Sequence, residues 1–388
     1  MLVAVIGGNL QGIEAAYLAR KAGWDVLLID KIADVPASGL CSYFIQMDVT
    51  RREELSHTIK SVDLVIPALE NYQALYALTQ EAHNAGIPIV FDFDAYQISS
   101  SKIESNRLFA KVGVPVPKPW PECGFPVVAK PSASSGSEGV RIFSTKEEMD
   151  GFEEGDFSPE AWVLQEFVEG PSYSLEILGV DGKFFPLQVT DLDMDMSYDC
   201  KRVTAPTELA PDLVETFEKI SADTASALNL KGIMDVEVIL NNGELKVLEI
   251  DARLPSQTPT TVFWSTGLNI VQMLGEIFVS PATLMPKIAY RRGVIYEHIN
   301  VSPGMIEIAG EHIMTGAGPL HLETDFFGAD EAITNYIAGR DHWVATLIVV
   351  GQDLSEAWTK RNTTIKTIAK RFRIDRIREL KPDRITEH

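Results

Sequence analysis

Apolar and polar positions in this chain follow two periods, and they alternate along its first quarter. Leu2–Ile6 is a short apolar run, too brief for a stable helix, and reads as a buried strand. Gly7-Gly8-Asn9-Leu10-Gln11-Gly12 makes a turn. Ile13, Ala16 and Tyr17 then recur at helical spacing over residues 13–22, and a second strand over 24–30 ends in Asp30. Leu64–Pro67 and residues 87–91 read as further strands, with a helix over 72–84 between them. Strands alternating with helices predict a doubly wound parallel sheet over residues 1–98.

The pattern then changes. Ser99, Ser100 and Ser101 precede a helix running through Val112, and residues 113–117 (Gly-Val-Pro-Val-Pro) form a linker. Strands are predicted at 125–130 and 140–143 around a small-residue loop, and at 162–167 and 172–178. An amphipathic helix covers 211–228. Residues 232–240 and 245–250 form a hairpin turning at Asn242-Gly243. Farther on, 343–350 reads as a strand and 356–372 as a basic helix.

The bulk properties narrow the function classes. A chain of 388 residues has room for two or three domains, and 45% hydrophobic with 23% charged residues is ordinary globular usage. A net charge of −21 argues against nucleic acid or an anionic membrane surface as the partner. Cys41, Cys123 and Cys200 are few, odd in number and widely spaced, which fits neither a disulfide framework nor a zinc site. The apolar start lacks a basic leader, and no apolar run approaches the ~20 residues of a membrane span. A cytoplasmic protein is expected.

Four segments carry candidate chemistry. Glu249, Asp251 and Arg253 share one face of a strand whose other face is Leu248, Ile250 and Ala252. Asp235 and Glu237 share a face of the preceding strand. Charged groups in such apolar company are costly unless something binds them, and carboxylates about 2 Å from a small hard cation are how proteins hold Mg²⁺ that also carries nucleotide phosphates. Lys130 ends an apolar strand and opens the loop 131–139, whose serines and backbone N–H groups suit phosphates. No Walker-type loop is present. Residues 164–170 (Leu-Gln-Glu-Phe-Val-Glu-Gly) form a strand end able to offer backbone groups to an adenine edge. The N-terminal glycine turn lacks dinucleotide-fingerprint spacing, so Leu10 and Gln11 are read as substrate contacts or structure rather than as part of an NAD site.

In this order the segments resemble the ATP-grasp ligases, over residues 1 to roughly 300. The resemblance implies an α/β chain with the ATP-grasp fold: a Rossmann-like domain at 1–98, an ATP-grasp domain at 99–285 with a lid near 118–178, and a C-terminal domain at 286–388. It implies ATP and Mg²⁺ as cofactors. Lys102 and Lys130 match the two ATP lysines. The phosphate loop falls on Ser132, Ser134, Ser135, Gly136, Ser137 and Gly139, and the adenine hinge on Glu166, Phe167 and Val168. Glu237 and Glu249 match the paired metal carboxylates, with Asp235 beside them and Asp251 where many members have asparagine. Arg253 matches the arginine two residues later and, with Lys130, is the catalytic candidate. Ser172 stands where many members place a ribose-binding glutamate, and Glu169 is the substitute.

Residues 7–18, 198–200, 232–237 and 249–260 resemble more closely the ligase family of pyrrolysine biosynthesis, although Lys201 follows Cys200 where that family reads histidine. This implies two amino-acid substrates, 3-methyl-D-ornithine and L-lysine. The methylornithine carboxylate would be activated as an acyl phosphate and then attacked by the lysine ε-amine. Asp30 and Glu70, at strand ends, are candidates for substrate ammonium groups. Ser256, Gln257 and Thr258 are candidates for a substrate carboxylate. Tyr198 and Tyr296 could wall a pocket, and Asp199 or Glu297 could act as base, although a core tyrosine and a structural acid are the stronger readings. The alternatives are an ATP-grasp ligase for other amino acids or dipeptides, an NAD-dependent dehydrogenase, and a non-catalytic binding protein.

Overall fold

The structure, a computed structural model, describes residues 1–134, 136, 139–153, 158–279, 291–379 and 381–382. It has two compact units. The first comprises Met1–Phe93, Thr190–Thr207 and Arg253–His388, and the second Asp94–Val189 and Glu208–Ala252.

The first unit opens with β1 (Leu2–Ile6), β2 (Asp25–Asp30), β3 (Tyr43–Gln46) and β4 (Leu64–Pro67). They form a parallel sheet in the order β3-β2-β1-β4. Ala4, Ile6, Leu27, Ile29 and Val65 pack with Leu55, Ile59 and Leu78 of the connecting helices. The expected strand at 87–91 is reduced to a single bridge, Val65↔Ile89. Pro88 removes a ladder donor there, and the chain turns into a helix at Phe93. Strand β3 escapes sequence reading because its side chains are mostly exposed, which leaves no alternation to detect.

The second unit begins with β5 (Val127–Pro131), β6 (Arg141–Phe143) and β7 (Trp162–Glu166), a small antiparallel sheet in the order β6-β5-β7. Val127, Ala129, Phe143, Met149, Phe152 and Leu164 form its core. Next come β8 (Ser172–Val180) and β9 (Lys183–Met194), then β10 (Cys200–Ala205), which belongs to the first unit and pairs antiparallel with the end of β9. β11 (Gly232–Asn241) and β12 (Glu244–Asp251) complete the order β12-β11-β8-β9. Asn242 and Gly243 both have positive φ, 51° and 81°, the geometry of the tight turn expected from Asn-Gly. Phe217, Ile220 and Ala225 of helix Pro211–Leu228 pack on Leu175, Met234 and Val236.

The remainder of the first unit carries the antiparallel strands β13 (Gly293–Ser302), β14 (Met305–Ile308), β15 (His321–Thr324), β16 (Glu331–Thr334) and β17 (Trp343–Gly351), followed by β18 (Arg376–Glu379), which runs parallel to β14. The order is β10-β13-β17-β16-β15, with β14 on β13 and β18 on β14. Among the described residues no single helix is long and apolar enough to cross a membrane.

The N-terminal turn is tighter than expected, because the first helix starts at Leu10 and takes in Gly12. A Cβ on Gly12 would lie 2.1 Å from the Gly7 carbonyl oxygen, and one on Gly7, at φ +105°, would lie 2.3 Å from that of Ala68. The turn is therefore backbone against backbone, with nothing flexible to yield. Gly12→Ala is expected to destabilise the fold by about 1–3 kcal/mol, the usual cost of overpacking. Chemical denaturation measures this, and unchanged stability would refute the close approach.

Candidate active site

The acidic face predicted on the hairpin is built by strand register. Asp235 lies opposite Asp251, and Glu237 opposite Glu249. Ser174 on β8 donates a 2.5 Å hydrogen bond to Asp235 Oδ1. Burial, reinforced by the negative charges of Asp235, Glu249 and Asp251, holds the Glu237 carboxyl well above the usual carboxylate range, and Lys130 pulls the other way. Crowded carboxylates that raise one another's proton affinity also attract a cation that can replace the proton. An all-oxygen donor set of this kind suits Mg²⁺.

Two lysines border this face. Lys102 begins helix Lys102–Val112, capped by Ser101, and its Nζ lies 3.2 Å from Glu249 Oε1. The same Nζ donates to the Ser134 carbonyl at 2.5 Å. Backbone contacts tie the loop to the helix start: Lys102 N–H reaches the Ser132 carbonyl at 2.9 Å, and Ser132 Oγ accepts from Ile103 N–H at 3.3 Å. Burial lowers the Lys130 ammonium below the ordinary lysine range, against the pull of Glu249 and Glu237 and with the push of Lys102. Lys102, Lys130, Phe109, Gln165, Leu248 and Glu249 line one small pocket. Gly136 and Gly139 of the loop are described, both with positive φ. Ser135 and Ser137 lie outside the described residues.

At the hinge, Glu166 is already engaged. Its Oε2 accepts from Lys246 Nζ at 2.7 Å and from Lys118 N–H at 3.1 Å. Those contacts pull its carboxyl below the usual range, although burial opposes them. Phe167 N–H bonds the Pro126 carbonyl at 3.1 Å, Val168 is half-buried, and the Glu169 carbonyl accepts from Asn241 at 2.9 Å.

Sequence reading misses Lys246 for a definite reason. A bulge falls between Glu237 and Val238, so Val238 pairs with Val247 while Glu237 pairs with Glu249. Lys246 opposite Ile239 therefore joins the face of Glu249, which strict alternation would deny it. Its side chain is 9% exposed, and a buried lysine on a strand needs its carboxylate partner.

The first unit holds the other candidates. Arg253 Nη2 is 2.7 Å from Glu70 Oε1, and Gln11 Nε2 donates to the same oxygen at 2.6 Å. Leu10 is the first residue of the helix that carries Gln11. The two carboxylate oxygens of Asp30 accept from Gly8 and Ile32 N–H groups, both at 2.8 Å, so this side chain holds the turn. Asp199 Oδ2 accepts from His312 N–H at 2.9 Å and faces His312 Nδ1 at 2.5 Å, and Tyr198 has φ 58°. Of the two base candidates, Glu297 is excluded physically. It is fully buried, with Arg202 Nε at 2.5 Å and Arg361 Nε at 2.8 Å. Tyr296 is 3% exposed, as a core tyrosine would be. Ser256 is half-buried, whereas Gln257 and Thr258 are buried, and Gln257 has a strained φ of 68°.

Comparison with known proteins places this geometry in a family. Residues 99–257 match the ATP-grasp domain. The 3-methyl-D-ornithine–L-lysine ligase of Methanosarcina mazei is 35% identical over 373 residues, covering 95% of this chain and 96% of that protein. Its counterpart in Methanosarcina barkeri is likewise 35% identical and 98% covered. Among solved structures, the biotin carboxylase domain of a Hydrogenobacter thermophilus 2-oxoglutarate carboxylase, in complex with MgADP, ADP and bicarbonate, superposes with a TM-score of 0.72 at 16% identity, covering 94% of this chain and 89% of that one. An N5-carboxyaminoimidazole ribonucleotide synthetase in complex with ADP gives 0.70 at 14% identity, covering 94% and 96%. The chain belongs to the ATP-grasp ligases, in the family that includes the Methanosarcina enzymes, and is an ATP-dependent, amide-bond-forming ligase.

Proposed function

We propose that this ligase joins 3-methyl-D-ornithine to the ε-amine of L-lysine. A carboxylate oxygen of methylornithine attacks the ATP γ-phosphorus, and the bond to ADP breaks. The resulting acyl phosphate is attacked at carbon by the lysine ε-nitrogen, which loses a proton as phosphate departs. The observation that carries this reading is the extent of the match: 35% identity running over 95% of the chain, through both compact units.

The residues divide the work as follows. Asp235, Glu237, Glu249 and Asp251 would hold Mg²⁺, which, when bound, offsets negative charge on the phosphates. Lys102 and Lys130 place positive charge beside the phosphoryl oxygens, with Arg253 assigned to the transferring group. Ser132, Ser134, Gly136 and Gly139 supply loop contacts to phosphate. The backbone of Glu166, Phe167 and Val168 takes the adenine edge, and Glu169 the ribose. Leu10, Gln11, Asp30, Glu70, Tyr198, Asp199, Ser256, Gln257 and Thr258 remain the substrate-side candidates. Asp30 is the weakest of them, because its oxygens already hold the turn.

The reading is tested by ADP release with each amino acid alone and with both together. Release that requires 3-methyl-D-ornithine and L-lysine supports it, and equal release with an unrelated pair counts against it. A second test addresses the hinge. Lys246→Met strands Glu166 as a half-buried carboxylate without its 2.7 Å partner. The KM for ATP is expected to rise about tenfold, the equivalent of one charge-assisted hydrogen bond, with kcat little changed. An unaltered KM would remove Lys246 from the nucleotide's surroundings.

A further inference from the structure

Helix Leu10–Lys21 is buried almost all round, with Gly12 through Ala19 inside, and one carboxylate, Glu14, sits among them at 1% exposure. Thr260 N–H donates to Glu14 Oε1 at 2.5 Å. Glu14 Oε2 is buried and has no partner among the described residues, as is true of Gln257 Oε1 and Glu311 Oε2. Gln257 links the two acids, because its backbone reaches Glu14 and its side chain reaches Glu311. Its amide orientation is fixed independently: Nε2 points at the Cys200 carbonyl, 3.4 Å away, and reversing the amide would set oxygen against oxygen there. One N–H of Gln257 Nε2 is thus directed at Cys200 and the other is left for Glu311, while Oε1 has no donor among the described residues.

Glu14 Oε2, Gln257 Oε1 and Glu311 Oε2 are thus three buried oxygens without a partner among the described residues, with the Thr260 hydroxyl beside Glu14 and the Ser256 hydroxyl beside Glu311, and buried polar atoms in a native fold are rarely left so. Burial pushes the carboxyls of Glu14 and Glu311 up to about 7 each, and the proximity of Glu311 adds to the rise at Glu14. A small, positive partner rich in donors fits such a set of oxygens. A substrate carboxylate, which the Ser256-Gln257-Thr258 loop suggests from sequence, is the wrong charge for this spot.

We propose that Glu14, Gln257 and Glu311 form the anchor for a primary ammonium group of one amino-acid substrate. An ammonium has three N–H donors and no acceptor, so it satisfies three such oxygens at once. The assignment rests on the ligase reading above and deepens it. It makes Glu14 and Glu311 substrate-binding residues, neither of which motif matching singles out.

Glu14→Gln is the direct test. The new amide oxygen can keep the Thr260 N–H bond, while its NH₂ supplies a donor where the ammonium would bring one. The protein should remain folded by thermal denaturation, and Glu311→Gln is the second variant should it not. The KM for either lysine or methylornithine is expected to rise about 10- to 100-fold, as for loss of a hydrogen-bonded charge pair, with the KM for ATP unchanged. Calorimetric titration with L-lysine, D-ornithine, norleucine and 6-aminohexanoate reads the same contact without turnover. A wild-type preference for the amine-bearing compound that disappears in the variants supports the anchor and shows which ammonium it holds. Both KM values and all affinities within twofold of wild type in both folded variants would overturn it. Wild-type protein that binds these amines but ligates none of them would overturn the ligase reading while leaving the anchor standing.

Discussion

Glu249→Gln is expected to lower ATP-dependent ligation about 10³-fold or more while leaving the fold intact. Glu249 lies opposite Glu237 and 3.2 Å from Lys102 Nζ, so it joins the carboxylate face to the cation proposed to meet the phosphates. The substitution keeps volume and shape and removes one charge. A metal ligand exchanged for a neutral amide forfeits several kcal/mol of charge stabilisation in the transition state, which is the source of the expected factor. The effect on stability has the opposite sign. Burial and then its acidic neighbours hold the Glu237 carboxyl well above the usual range, so one negative charge fewer relieves repulsion in the metal-free protein. Thermal stability without Mg²⁺ should be unchanged or higher, while its increase on adding Mg²⁺ should shrink. A structural carboxylate would lose stability and activity together. ADP release at the wild-type rate would end the metal assignment.

Lys130→Met carries the second large effect. Burial already works against the Lys130 charge, and what sustains the charge is its proximity to Glu249 and Glu237. Methionine fills the same space without a desolvation cost, so the chain should fold. What is lost is a fixed cation at the edge of the acidic face. Phosphoryl transfer depends almost wholly on such placed charges, and removing one preorganised electrostatic contact typically costs roughly 10²- to 10³-fold in kcat. Steady-state kinetics with ATP varied should show that loss together with a raised KM. Kinetics within twofold of wild type would mean that Lys130 is structural.

The two units differ in how far the sequence alone reveals them. Leu2–Ile6, Asp25–Asp30 and the hairpin at Asn242-Gly243 are legible because apolar period and turn chemistry agree. The acidic face is legible for the same reason: alternation puts Glu249 with Asp251 and Asp235 with Glu237, and register completes it. Lys246 is hidden by a bulge, which breaks the period-two rule on which the reading relies. The antiparallel strands from Gly293 to Thr334 are hidden because several, such as Gly293–Ser302 and Glu331–Thr334, are buried on both faces and show no alternation. Glu14 is visible in retrospect. It is the one acid in the helix, within a stretch from Gly12 to Ala19 that is buried throughout, and a helix apolar all round is a buried helix. Charge pairing across long sequence separations, such as Glu297 with Arg202 and Arg361, has no local signature at all.

The central claim is that the methylornithine carboxylate is the group activated and that lysine supplies the amine. Carboxylate-¹⁸O-labelled 3-methyl-D-ornithine, turned over with ATP and unlabelled L-lysine, tests it in one experiment, because an acyl phosphate leaves one carboxylate oxygen on phosphorus. Mass spectrometry of the released phosphate should find one ¹⁸O per turnover, with the amide on the lysine ε-nitrogen. Unlabelled phosphate, or label that reaches phosphate only from ¹⁸O-lysine, would contradict the account.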